Sequence, residues 1–80
     1  MDSAILNQLI RDTFLLSEGT AFEDQHGPNE IAGWDSLGHV NLISALETKF
    51  QIAIPMDEMI GIASIGDIKK MLQAKGIQNF

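Results

Sequence analysis

Apolar residues recur along this chain at helical spacing. Ile5, Leu6, Leu9, Ile10 and Phe14 lie three to four positions apart, so they share one face of a helix running from about Ser3 to Leu16. Asp2 or Ser3 caps its first turn, and Ser17-Glu18-Gly19 stops it. At about 100° per residue, Leu42, Ile43, Leu46 and Phe50 project to one side of a second helix. That helix is predicted from about Ser36 to Phe50, with Asp35 as its N-cap. His39 falls on the apolar arc, while Ser36, Leu37, Val40, Asn41, Ser44, Glu47 and Thr48 lie opposite. A last helix starts at Ser64 and buries Ile65, Ile68, Met71 and Leu72. Ser64 and Asp67 have capping-box spacing. Lys69, Lys70 and Lys75 suit its negative end, and Gly76 terminates it.

The segments between follow from the same rules. Residues 17–34, with Gly19, Gly27, Pro28 and Gly33, read as one long connection, anchored to the core by Phe22 and Ile31. Ile52 and Ile54 alternate with Ala53 as in a strand. A lone strand leaves its backbone unpaired, so this stretch is expected to be an extended loop. Pro55 or Met56 opens a short helical turn through about Ile60, with Asp57 and Glu58 near its positive end. Met56, Met59, Ile60 and Ile62 around it are expected in the core. The fold class is all-α: a four-helix bundle of three main helices and one short one, forming a single domain over residues 1–80, without repeats.

Composition narrows the function by exclusion. Val40 is the only valine and tyrosine is absent, a bias against strands. Eighty residues bury a limited core and leave little room for a deep substrate pocket. The net charge of −6 argues against nucleic acid and anionic membrane surfaces. It favours a protein partner with a basic patch. The lack of cysteine excludes disulfides and thiolate metal sites. Met1-Asp2-Ser3 lacks the features of a signal peptide, and no apolar run approaches a membrane span. A cytoplasmic monomer is the expectation.

The chemically informative run is Gly33-Trp34-Asp35-Ser36-Leu37-Gly38-His39-Val40. It places a serine hydroxyl at the start of a helix, behind a capping aspartate. There the first backbone N–H groups and the helix dipole favour a negatively charged substituent such as a phosphodiester. Asp35-Ser36-Leu37, followed by Val40, Leu42, Ala45-Leu46-Glu47 and Phe50, resembles the signature of the acyl carrier protein family. The likeness extends through Ile54-Pro55 and Ile65 across nearly the whole chain.

The resemblance implies that Ser36 receives 4′-phosphopantetheine from coenzyme A through a phosphopantetheinyl transferase. The thiol of that arm, imported into a chain without cysteine, would carry an acyl group as a thioester, and the chain would not itself be an enzyme. Asp35, Leu37, Val40 and Glu47 match partner-docking positions, and the partners implied are acyl-loading, condensing and modifying enzymes with basic docking patches. Leu46, Ile54, Met59 and Ile62 match the region where related carriers open a cleft for the acyl chain. Gly38 and Asn41 stand where fatty-acid carriers often have acids, Thr48 replaces another, and Ser44 stands where a larger apolar residue is common. The Trp-Asp-Ser-Leu-Gly-His run looks more like discrete carriers of polyketide, peptide-hybrid or surface-glycolipid pathways.

Other readings stand beside this one. A peptidyl or aminoacyl carrier fits the same motif, and an unmodified helical interaction module fits the amphipathic second helix. Asp35, Ser36 and His39 are the residue types of a hydrolytic triad, but their order and spacing match no nucleophile elbow. His39 is expected to be a partly buried helix residue. His26 has no ligand partner at metal spacing. Trp34 is expected to pack against the long loop, the other reading being an apolar surface presented to partners. Gly38 costs the helix about 1 kcal/mol relative to alanine, either as a tolerated loss or as room for the arm or a partner backbone.

Overall fold

The computed structural model describes residues 4–20 and 22–80. The expected caps Asp2 and Ser3 lie outside them. Four helices follow in order: α1 (Ala4–Phe14), α2 (Ser36–Phe50), α3 (Met56–Gly61) and α4 (Ile65–Ala74). Among the described residues there is no strand, and Ile52–Ile54 is extended loop as expected. No helix is long and apolar enough to cross a membrane.

The core draws on every part of the chain. Leu6 and Ile10 come from α1, Leu42, Ile43 and Leu46 from α2, and Ile65, Ile68 and Leu72 from α4. Ile31 and Trp34 enter from the long connection, and Ile54 and Ile62 from either side of α3. Phe22, the other expected anchor, is half-buried and packs on the same cluster, with the Arg11 guanidinium over its ring at 5.3 Å. Ile5, assigned to the buried face of α1, is exposed.

The first helix ends earlier than its periodicity predicts. Leu15 adopts a left-handed conformation (φ 56°), and the Leu16 N–H reaches back to the Arg11 carbonyl at 2.8 Å. This reversal turns Leu16 onto the core and leaves Leu15 91% exposed. A side chain in that backbone region costs about 1–2 kcal/mol, and glycine is the usual residue at such a helix end. Replacing Leu15 by glycine is expected to raise stability by about 0.5–1 kcal/mol, after subtracting glycine's greater unfolded-state entropy. A thermal midpoint that falls in L15G contradicts this.

The α4 cap forms as expected in part. The Asp67 N–H donates to Ser64 Oγ at 3.2 Å, but the Asp67 carboxylate accepts from the Ala63 N–H rather than from Ser64. Gly76 turns the chain beyond the helix with φ 86°. The lysines do not line the last turn of α4. Lys69 pairs with Asp24 in the long connection at 2.6 Å, and Lys75, just past the helix, pairs with Glu58 of α3 at 3.0 Å. The connection also docks backbone to backbone: Ile65 N–H to His26 O, and Gly66 N–H to Asp24 O.

The short helix α3 contains no buried residue. Met56 and Ile60, expected in the core, are about 70% exposed. A six-residue helix has one face to bury, and here Met59 occupies it, half-buried, while Ile62 follows as a buried residue.

Candidate functional site

Ser36 is the first residue of α2 and is exposed. Asp35 precedes it in extended conformation, and its Oδ1 accepts the Gly38 N–H at 2.8 Å. The Asp35 carbonyl accepts the His39 N–H at 2.7 Å. The helix itself supplies no acceptor to the N–H groups of Ser36 and Leu37, so they remain directed at the helix entrance. A phosphodiester on the Ser36 hydroxyl would meet those donors and the positive end of the α2 dipole. The chemistry of this donor set fits the phosphopantetheine group.

Gly38 sets how closely this entrance sits on the body of the molecule. It is buried, and a Cβ there would collide with the Gly33 carbonyl oxygen and come within 3.0 Å of the Phe14 ring. The room is used by the chain's own backbone, not by the arm or a partner, and the loss is not merely tolerated.

Trp34 is 2% exposed and packs against Phe14, with ring centroids 5.9 Å apart. Its indole N–H donates to His39 Nδ1 at 2.8 Å. The other ring nitrogen, Nε2, stands 2.8 Å from the Met59 carbonyl. An indole N–H can only donate. Nδ1 must therefore accept, and the ring proton sits on Nε2 and is given to Met59. A chain of hydrogen bonds runs from the serine loop through α2 to α3. Orphaning a buried N–H in such a chain costs about 1–3 kcal/mol.

His39 is half-buried as expected, but this relay was not legible in the sequence. With both ring nitrogens engaged, none is left for the Ser36 hydroxyl, and the triad types do not assemble into a triad. His26 is likewise occupied locally, its Nδ1 accepting the Glu23 N–H at 3.1 Å.

The remaining predicted residues divide into two groups. Leu37 and Val40 are exposed on α2, at 70% and 51%, beside exposed Asp35. Glu47 is half-buried, and its carboxylate accepts the Ile54 N–H at 2.9 Å, which ties the extended loop to the end of α2. Leu46, Ile54 and Ile62 are buried in the core cluster, with Met59 packed against it.

Comparison with known proteins accords with this geometry. A family model described as the phosphopantetheine attachment site matches residues 30–72, a span that includes Asp35-Ser36-Leu37 and all of α2. The chain is 36% identical over 67 residues to an acyl carrier protein of Prochlorococcus marinus, covering 84% of this chain and 82% of that one. It is 48% identical over 44 residues to an acyl carrier protein of a Sulfurovum species, covering 55% and 59%. The solution structure of the holo acyl carrier protein from Geobacter metallireducens superposes with a TM-score of 0.76 at 26% identity, covering all of this chain and 98% of that one. A serine-bearing helix entrance, an all-helical fold and a match over more than half the chain coincide, and the chain belongs to the acyl carrier protein family, whose cofactor is 4′-phosphopantetheine.

Proposed function

We propose that Ser36 is the attachment residue, and that the chain carries acyl intermediates in a polyketide, specialised lipid or fatty-acid-like pathway. The observation that carries this reading is an exposed hydroxyl on the first residue of a capped helix. On loading, the Ser36 Oγ forms a bond to phosphorus as the pyrophosphate of coenzyme A breaks. Adenosine 3′,5′-diphosphate leaves, and the hydroxyl proton passes to a base of the transferase. The arm supplies a thiol on which acyl groups ride as thioesters, and the polypeptide itself performs no bond chemistry on them.

Docking is assigned to Asp35, Leu37 and Val40, an acid beside two exposed apolar side chains. Glu47 adds its charge to the field met by a basic patch while one of its oxygens stays committed to Ile54. Tethering raises the acyl group's local concentration at each partner enzyme. The partners proposed are the transferase and the loading, condensing and modifying enzymes, met by a cytoplasmic monomer. Incubation with coenzyme A and a broad-specificity transferase should add one phosphopantetheine per chain, mapped to Ser36. Subsequent loading by aminoacyl donors to the exclusion of acyl donors would replace the acyl reading with that of an aminoacyl carrier.

A further inference from the structure

We propose that His39 is a latch across the seam between α2 and α3, and that it makes this carrier display its acyl chain instead of storing it among the helices. The inference rests on the carrier reading above. His39 follows Ser36 by one turn of α2, on the inward side of the helix. Its ring is bonded to Met59, which packs on the cluster of Leu46, Ile54 and Ile62, so a chain tethered at Ser36 that entered between α2 and α3 at Met59 would have to displace this bond.

The ring is held on both edges. Nδ1 accepts from Trp34, Nε2 donates to the Met59 carbonyl, and the imidazole plane lies within 12° of the indole. Parting α3 from α2 at Met59 breaks the second bond, and swinging the ring aside breaks both. An alkyl chain offers no donor or acceptor to replace them, and the Trp34 N–H, almost without solvent access, would be left unpaired. The rest of α3 resists opening weakly, having no buried side chain of its own. Among the described residues, the Lys75–Glu58 pair is its other side-chain polar tie. His39 is therefore a positioning residue that determines where the cargo lies.

Three chains test the latch: the natural one, His39→Leu, which removes both bonds, and His39→Gln, whose amide offers one acceptor and one donor. Each is loaded with an acetyl or an octanoyl arm from the corresponding acyl-coenzyme A, verified by intact mass. Cleavage of the thioester by hydroxylamine then reports its exposure. In the natural chain and in H39Q, octanoyl and acetyl thioesters should be cleaved in the same ratio of rates as the free octanoyl and acetyl pantetheines, and protection is read against that ratio. In H39L the octanoyl thioester should be cleaved about ten-fold more slowly, the shift expected when hydrogen bonds of ordinary strength no longer oppose entry.

Protection of octanoyl in the natural chain, no protection in H39L, or an H39Q that behaves like H39L each overturns the latch while leaving the carrier reading intact. Failure of every chain to take an arm overturns the carrier reading, and the latch with it. Should H39L not fold, the natural chain decides alone. Its Trp34 indole N–H resonance should be the same in acetyl and octanoyl forms, and contacts from the octanoyl methyl to Leu46 or Ile62 would sink the proposal.

Discussion

Ser36→Ala is expected to abolish loading completely while leaving the fold in place. The hydroxyl is the only part of this side chain that changes, and it makes no hydrogen bond among the described residues. Ser36 is exposed at the first position of α2, where alanine is a good helix former. The cap belongs to Asp35, so the helix start does not depend on the serine. Stability should therefore stay within about 0.5 kcal/mol of the natural chain, as for most surface substitutions. Intact mass after exposure to coenzyme A and transferase reads the first effect, and thermal unfolding the second. An arm still acquired by S36A moves the attachment to another residue. A collapse of the thermal midpoint would make Ser36 structural and the loss of loading uninformative.

Gly38→Ala should destabilise the protein, against its helix propensity. In an isolated helix the change is favourable by about 1 kcal/mol. Here the new methyl meets the Gly33 carbonyl, a backbone atom that cannot rotate away, and the edge of the Phe14 ring. Relief requires the loop before Ser36 to lift from α2. Overpacking of this kind costs about 1–3 kcal/mol, and at about 4–8 °C per kcal/mol for a chain of this size the midpoint should fall visibly. Lifting the loop also draws Trp34 away from His39. Trp34 is the only tryptophan, so its emission should report the movement directly. A midpoint raised by G38A would mean that the loop yields freely and that the entrance is not rigidly mounted.

The two substitutions sit two residues apart and separate two kinds of dependence. On the proposed function Ser36 matters for its hydroxyl, which is exposed and makes no hydrogen bond among the described residues. Gly38 matters for its lack of a side chain and sets the position from which Ser36 is presented. A G38A chain that still loads, more slowly, would show that presentation and chemistry are distinct contributions at one helix entrance.

Reading the residues in order was enough to place α2 from Ser36 to Phe50, its Asp35 cap, the Ser64 cap of α4, the Gly76 exit and the extended loop before Pro55. Each of these depends on groups within about one helical turn of one another, where capping and periodicity act. Tertiary structure alone decided the rest. Leu15 ends α1 because Leu16 has a place in the core to turn towards. Gly38 is required because the loop just before α2 folds back over it at Gly33 and the Phe14 ring of α1 closes against the same spot. Glu47 bends back to Ile54, and Met56 and Ile60 face outward because a six-residue helix turns one face to the core, which Met59 fills half-buried. The longer bond of the Trp34–His39–Met59 relay joins residues 20 positions apart, and no local pattern records which donor will find which acceptor. Such pairings exist only once the chain has closed on itself, because burial is what makes an unpaired donor costly enough to select its partner.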